Sequence, residues 1–112
     1  MSLLAYLGAT VSVLAGLAGL LWPRRVSAVI GLQLPSTLGV SEFRATYGGL
    51  FAGAGAAVLL LASRDAALVL AAGWLGAFTA RALSTVVDRS TSKENLAGLG
   101  IEAAIGTMLA LA

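Results

Sequence analysis

The sequence predicts an all-α integral membrane protein, a four-helix transmembrane bundle with a short interfacial helix between helices one and two. Two observations carry this fold class. Hydrophobic residues make up 59% of the 112 residues and charged residues 11%, whereas a soluble domain usually carries about 25% charged residues to cover its surface. Four apolar stretches, each near the roughly 20 residues that a bilayer core requires, occupy most of the chain. We therefore expect a single domain over residues 1–112.

The four predicted spans cover, in approximate bounds, residues 3–22, 42–63, 65–87 and 93–112. All are rich in Leu, Ala, Val and Gly and lack the strict alternation of barrel strands, so helices are the expected spanning form. The first stretch is too long for the apolar region of a signal peptide, and no basic segment precedes it. We expect it to be a retained span.

The connections between the spans differ in length and character. Residues 63–65 and 88–92 are short polar turns, while residues 23–40 are longer and still apolar. In that connection Pro23 suits the first position of a helix, Gly31 suits a helix C-terminus and Pro35 stops further continuation. We predict an interfacial helix anchored by aromatic and basic residues and turning its apolar residues inward; an apolar loop packed on the bundle is the alternative. The anchors are Trp22, Arg24 and Arg25, and the inward residues are Val26, Val29 and Ile30.

Basic residues are distributed unequally between the two ends of the predicted bundle. One end carries Arg24, Arg25, Arg44, Arg89 and Lys93, and the other carries only Arg64. The positive-inside rule places the basic end in the cytoplasm, so both termini are expected to be extracytoplasmic.

The sequence contains no Cys and no His. This excludes disulfides, thiol catalysis and the usual metal, haem and iron–sulfur ligands, so we expect no metal and no cofactor. The pI is near 9.7, but the excess charge is only +2, and no basic run is interleaved with aromatic residues. Nucleic acid is therefore not an expected partner.

Small residues recur at four-residue spacing on all four predicted helices, a pattern that lets helix backbones approach closely in a membrane. Tight packing within one bundle is the favoured interpretation, and self-association is the alternative. The stripes are Gly8, Ser12 and Gly16; Gly49 and Gly53; Ala72, Gly76, Ala80 and Ser84; and Gly98, Gly106 and Ala110.

Two charged residues lie deep within predicted spans. Glu102 lies ~13 Å into the fourth helix, and Arg81 lies ~9 Å from the same end of the third. An unpaired charge in lipid is costly, so we predict that Arg81 and Glu102 form a buried ion pair. Glu102 falls between Gly98 and Gly106 on one stripe, which directs it to a helix–helix contact. A pair that fixes helix register, a functional pocket and an unpartnered Arg81 that extends to the interface are the alternatives.

Candidate lining residues follow from the same geometry. Tyr47, Trp74 and Phe78 are the candidate aromatic residues, of which Trp74 and Phe78 share a stripe with Arg81. Glu42 and Arg44 open the second predicted helix, with Ser41 as the expected N-cap. They point to nearly opposite faces, so they are either members of a polar cluster with Arg81 and Glu102 or a charged helix start at the headgroups.

The segment Ser41-Glu42-Phe43-Arg44-Ala45-Thr46-Tyr47-Gly48-Gly49 resembles the S-E-F-R-A-T-Y-G-G signature of a family of small bacterial four-helix membrane proteins, domain of unknown function family 4345. The resemblance extends over the whole chain and includes Leu34-Pro35, Arg81 and Glu102. It implies the four-helix fold and a multi-pass location in the bacterial cytoplasmic (inner) membrane. It carries no activity.

The sequence favours a non-enzymatic binding or accessory bundle, because no catalytic constellation is present. One alternative is a proton or small polar solute carrier or channel formed by an oligomer, since ionisable residues within membranes commonly mark such paths. Another is a membrane-embedded enzyme that acts on a lipid-like substrate through Glu102. The expected partner is the lipid bilayer; a homo-oligomer and a small polar or lipid-like ligand stay open.

The predicted topology is testable by labelling in intact cells. A cysteine introduced at Ser90 should react only with reagents that enter the cytoplasm, because the basic residues hold this end inside. A reporter fused after Ala112 should read extracytoplasmic. The opposite labelling pattern at both positions would contradict the basic-residue argument while leaving the number of spans unchanged.

Overall fold

The computed structural model describes residues 1–112 and is entirely helical. Its five helices are α1 (Leu3–Leu21), α2 (Pro23–Val29), α3 (Thr37–Leu61), α4 (Arg64–Val87) and α5 (Lys93–Ala110). The predicted all-α class is therefore confirmed. Helix α3 is continuous but not uniform, because its middle residues, Arg44–Leu50, form a π-helix.

Three of the five helices, α1, α3 and α4, are long and apolar enough to cross a membrane. The fourth predicted span corresponds to α5, which has 18 residues and is not among them. Helix α5 carries Lys93 and Glu94 in its first turn and Glu102 further along. Helix α4 also carries three charges, but two of them, Arg64 and Asp65, lie at the start of its 24 residues and leave a longer apolar stretch.

Serine side chains begin four of the helices. The hydroxyl oxygens of Ser2, Ser36, Ser63 and Ser92 each accept a hydrogen bond from the backbone N–H three residues later, at 3.0–3.2 Å. Such a cap satisfies a donor that the helix itself leaves unpaired and is worth about 1 kcal/mol.

The start of α3 corrects one prediction. Ser41 does not cap the second long helix; Ser36 does, and the helix begins at Thr37. The reason is that Ser36 has an extended backbone directly after Pro35, which leaves its hydroxyl free to cap Gly39. Glu42 therefore lies beyond the first turn and does not interact with the N-terminal end of the helix dipole in the predicted way.

Helix α2 occupies the predicted position between the first two long helices. Pro23 lies at its first turn, and Gly31, with φ of +79°, follows its end. The Leu32 N–H donates to the Ser27 carbonyl at 2.8 Å, and this hydrogen bond closes the turn at the end of α2. The turn requires a positive φ at Gly31, which glycine adopts readily.

The face that α2 turns toward the bundle differs from the prediction. Pro23 and Ser27, one turn apart, are its buried residues. Val26 is half-buried, but Val29 is 77% exposed and Ile30 is 39% exposed. Val29 and Ile30 therefore do not turn toward the bundle, contrary to the expectation. The four-residue period of the helix places Pro23 and Ser27 on the face that contacts the bundle.

The long helices form a flattened arrangement. Helix α1 packs against both α3 and α5, α4 packs against α5, and α3 makes a smaller contact with α4. The Cα trace measures 39 × 31 × 16 Å, and the 16 Å dimension corresponds to two layers of helices at an axial separation of about 8–10 Å. The shared core contains Ala5, Ala9, Val58, Ala67, Ala71, Trp74, Ile105 and Leu109.

The outer surface of this arrangement is apolar. Leu60 is 86% exposed, and Leu3 and Val86 are similarly open. Only 19 of the 112 residues are buried. A soluble protein rarely exposes apolar residues on this scale, so the surface supports the lipid-facing interpretation.

Glycines set the distance between α1 and α3. A Cβ added at Gly16 would lie 2.6 Å from the Gly48 carbonyl oxygen and would also contact the Ala52 backbone. Gly48 in turn lies against the backbone of Leu20. These contacts are with backbone atoms, which have no freedom to move aside. The small-residue stripe of α1 is thus used within the chain.

We expect Gly16→Ala to lower the thermal stability of the protein in mild detergent, by the ~1–3 kcal/mol typical of overpacking. Gly53→Ala is the matched control, because a Cβ at Gly53 meets nothing within 4 Å. It should leave stability unchanged or raise it slightly, since alanine favours helix more than glycine does. Equal losses in the two variants would show that α1 and α3 do not meet at Gly16.

Candidate functional site

The structure places Arg81 and Glu102 in direct contact. They face each other across the antiparallel hairpin of α4 and α5, and the Arg81 Nε–H donates to Glu102 Oε1. This is the only salt bridge in the chain. The Glu102 side chain is 6% exposed and that of Arg81 is 35% exposed. The carboxylate is therefore enclosed by protein, while the guanidinium reaches the edge of the bundle.

Asn95 completes this group and was missed by the sequence reasoning. Arg81 Nη1 donates to Asn95 Oδ1 at 3.1 Å, and Asn95 Nδ2 donates to Thr85 Oγ1 at 3.0 Å and to the Ser90 carbonyl at 2.7 Å. A signal was present, because Asn95 and Glu102 are seven residues apart and share one helical stripe with Gly98. The amide links α4, the turn and α5. We call Arg81, Asn95 and Glu102 the polar network.

Gly98 provides the space that the polar network requires. A Cβ at this position would lie 2.8 Å from Arg81 Cζ and 2.8 Å from Nε. The guanidinium therefore rests against bare backbone between Asn95 and Glu102. Gly106, further along the same stripe, receives Leu75 instead. The predicted notch on α5 is thus filled by one charged and one apolar side chain of α4.

Glu42 and Arg44 do not join the polar network. The exposed Arg44 donates through Nη1 to the Leu20 carbonyl at the end of α1. Glu42 is exposed and forms no salt bridge. The four charged residues proposed as one cluster are therefore divided: Arg81 and Glu102 are together, and Glu42 and Arg44 belong to the first turns of α3.

The candidate aromatic residues belong to a different contact. Tyr47 stacks on Phe43 with ring centroids 4.6 Å apart, and its edge meets Phe51 at 5.8 Å. Phe51 continues to Trp74 at 4.7 Å, which links α3 to α4. Phe43 and Phe51 were not predicted, although their four-residue spacing from Tyr47 places the three rings on one face. Phe78 is half-buried, one turn before Arg81.

The π-helix coincides with the signature segment. Its residues Arg44–Leu50 include Tyr47 and Gly48, and Gly48 packs on Leu20 of α1. π-helical turns are rare and frequent at functional sites. Here the π-helix contains both Arg44, which contacts the end of α1, and Tyr47, which packs between Phe43 and Phe51, so one segment positions both.

The chemistry that these groups offer is restricted by their contacts. No three His, Cys, Asp or Glu side chains come together to hold a metal ion. No buried side-chain nitrogen or oxygen lacks a hydrogen-bond partner. Two open surface clefts lie around α2, and neither includes Arg81 or Glu102. The polar network is thus an internally satisfied group.

Fold and site together define an all-α protein with three helices able to span a membrane and one ion pair joining its last two helices. The chain belongs to the family described as Domain of unknown function (DUF4345), whose model matches residues 1–112. No curated protein and no solved structure matches it.

Gly98→Ala tests the geometry of the polar network. The added methyl group should displace the guanidinium from Glu102 and lower thermal stability, because it leaves a carboxylate buried without its partner. Gly100→Ala, two residues along α5, is the control, since its Cβ would meet nothing within 4 Å. In an Arg81→Gln background the loss from Gly98→Ala should largely disappear. A loss that persists unchanged in that background would contradict the contact.

Proposed function

We propose that this chain is a four-span integral membrane protein of the bacterial cytoplasmic membrane and acts as a non-enzymatic binding or accessory bundle, in which the polar network fixes the pairing of α4 with α5. Helix α5 serves as the fourth span. The observation that carries the proposal is the ion pair, because it gives the charge in the middle of α5 a partner at the same depth.

The length of α5 supports its role as a span. Its 18 residues extend about 27 Å at ~1.5 Å per residue, close to the ~30 Å hydrocarbon thickness. Lys93 and Glu94 stand at the first turn, where headgroups accommodate charge. Glu102 is then the one charge near the bilayer centre, and Arg81 neutralises it.

A structural role for the polar network follows from how its groups are used. Arg81 donates to both Glu102 and Asn95, Asn95 also donates to Thr85 and to the Ser90 carbonyl, and Glu102 is enclosed. A substrate would have to displace Arg81 to reach the enclosed Glu102 carboxylate. The enzyme and carrier alternatives therefore need Arg81 to leave Glu102, whereas the accessory role needs it to stay.

The proposed orientation has the basic ends of the helices in the cytoplasm and both termini outside. With α5 as a span, the end of α5 lies opposite the turn of residues 88–92, on the same side as the start of α1. If α5 instead lay on the membrane surface, the C-terminus would remain on the side of that turn. The position of Ala112 therefore distinguishes four spans from three.

A double-mutant cycle tests the role of the ion pair. Arg81→Gln and Glu102→Gln should each lower thermal stability in detergent, by at most the ~3–5 kcal/mol that breaking a buried pair costs. Arg81→Gln should cost more, because it strands the enclosed carboxylate, whereas Glu102→Gln leaves a guanidinium that already reaches the bundle edge. The double variant should recover part of the loss, since the two effects share one interaction.

The matched control for this cycle is Arg64→Gln, which removes an exposed arginine that forms no salt bridge. It should leave stability within about 0.5 kcal/mol of the parent. Single losses that simply add would exclude a stabilising pair. Unchanged stability in all variants, with a proton leak that depends on Glu102 in reconstituted vesicles, would favour the carrier instead.

A further inference from the structure

Half of the six arginines of the chain line one cleft at the junction of α1, α2 and α3. The cleft has a volume of about 250 Å³, and its lining residues are Trp22, Pro23, Arg24, Arg25, Val40 and Arg44. We call it the basic cleft. The basic cleft shares no residue with the polar network, and no carboxylate lines it.

The charge of the basic cleft is not neutralised within the protein. None of its three arginines forms a salt bridge, because the single salt bridge of the chain joins Arg81 and Glu102. Glu42, on the same helix as Arg44, is exposed and unpaired. Three arginines therefore line one cleft without a carboxylate partner. Such an arrangement favours the binding of an anion.

Two of the three guanidinium groups are held in place by backbone. Arg24 Nη1 donates to the Leu34 carbonyl at 3.1 Å, and Arg44 Nη1 donates to the Leu20 carbonyl. A guanidinium has five N–H donors, so each retains several for a ligand. Anchored in this way, the groups lose little conformational freedom on binding.

An apolar cleft adjoins the basic cleft and shares Trp22 and Arg25 with it. Its volume is about 430 Å³, and Val26 and Val29 complete its lining. Val29, which is 77% exposed, is thus available to a ligand in this cleft. A ligand that filled both clefts would carry a negative group at one end and hydrocarbon at the other.

We propose that the two clefts bind one anionic phospholipid, with its phosphate on Arg24, Arg25 and Arg44 and an acyl chain along Trp22, Val26 and Val29. Guanidinium groups bind phosphate through paired, charge-assisted hydrogen bonds. Tryptophan is typical of the membrane–water interface. The proposal rests on the proposed function in that it takes the protein to be membrane-embedded, and it goes beyond it by naming a ligand and its site.

The test measures lipid binding by the purified full chain in neutral detergent. Phosphatidylglycerol and phosphatidylcholine with the same acyl chains are titrated, and Kd is obtained from thermal shift or from bound lipid in native mass spectra. Arg25→Gln is the informative variant, because Arg25 makes no hydrogen bond that folding would miss. Arg89→Gln is the matched control, since it removes an exposed arginine from the same predicted side but outside the cleft.

Phosphatidylglycerol should bind at least about tenfold more tightly than phosphatidylcholine. Arg25→Gln should weaken phosphatidylglycerol binding about fivefold, the effect expected of one basic residue at a lipid surface, and Arg89→Gln should not weaken it. Val29→Ser should also weaken binding, and Val86→Ser, exposed on α4, should not.

Three results would overturn the proposal. Equal affinity for the two lipids would remove the role of the anion. Equal weakening by Arg25→Gln and Arg89→Gln would show general surface charge in place of a site. Inorganic phosphate that binds as tightly as the lipid, with no effect of Val29→Ser, would identify a soluble anion as the ligand. Alkaline extraction tests membrane insertion separately, since release of the chain would contradict the proposed function without changing the binding measurement.

Discussion

In the proposed function, the pairing of α4 with α5 depends on one interaction, the ion pair of Arg81 and Glu102. Glu102 is nearly fully enclosed, and a carboxylate in that position is tolerated only with a partner. Arg81 belongs to α4, and its guanidinium packs on Gly98 of α5. A shift of either helix by one residue along its axis would therefore separate the two charges. Asn95 adds a second bond to Arg81 and ties the turn to the helices. Apolar contacts between the helices are less selective for register, so the polar network defines it.

A second constraint acts on α1 and α3, where backbone meets backbone. Gly16 and Gly48 leave no room for a side chain between these helices. Ser12 uses the same proximity to donate to the Phe51 carbonyl at 3.1 Å. Between helices in a bilayer, contact with lipid is as favourable for an apolar side chain as contact with another helix. Close packing and such hydrogen bonds are then the main attractive interactions between helices. Close backbone packing therefore distinguishes the contact of α1 with α3, and the ion pair distinguishes the contact of α4 with α5.

The features that the sequence predicted well are those set by local rules. The helix starts at Pro23 and Lys93, the reversal at Gly31 and the facing of Arg81 and Glu102 follow from proline position, apolar pattern, glycine conformation and helix depth. The start of α3 was misplaced because two serines, Ser36 and Ser41, both suit an N-cap, and only the extended backbone after Pro35 decides between them.

The rest was not predictable from periodicity because it depends on departures from it. The π-helix of Arg44–Leu50 changes the angular position of every residue after it in α3. A uniform 100° per residue therefore assigns wrong faces to the residues beyond Arg44. Glu42 and Arg44 precede that change, and they miss the polar network because α3 packs mainly on α1 and makes only a small contact with α4. The packing of α3 on α1 brings Arg44 to the end of α1, next to Arg24 and Arg25. Arg44 of the signature segment thus joins Arg24 and Arg25, about 20 residues earlier in the chain, so that three arginines line one cleft at the end of the bundle, a proximity that helix periodicity alone does not predict.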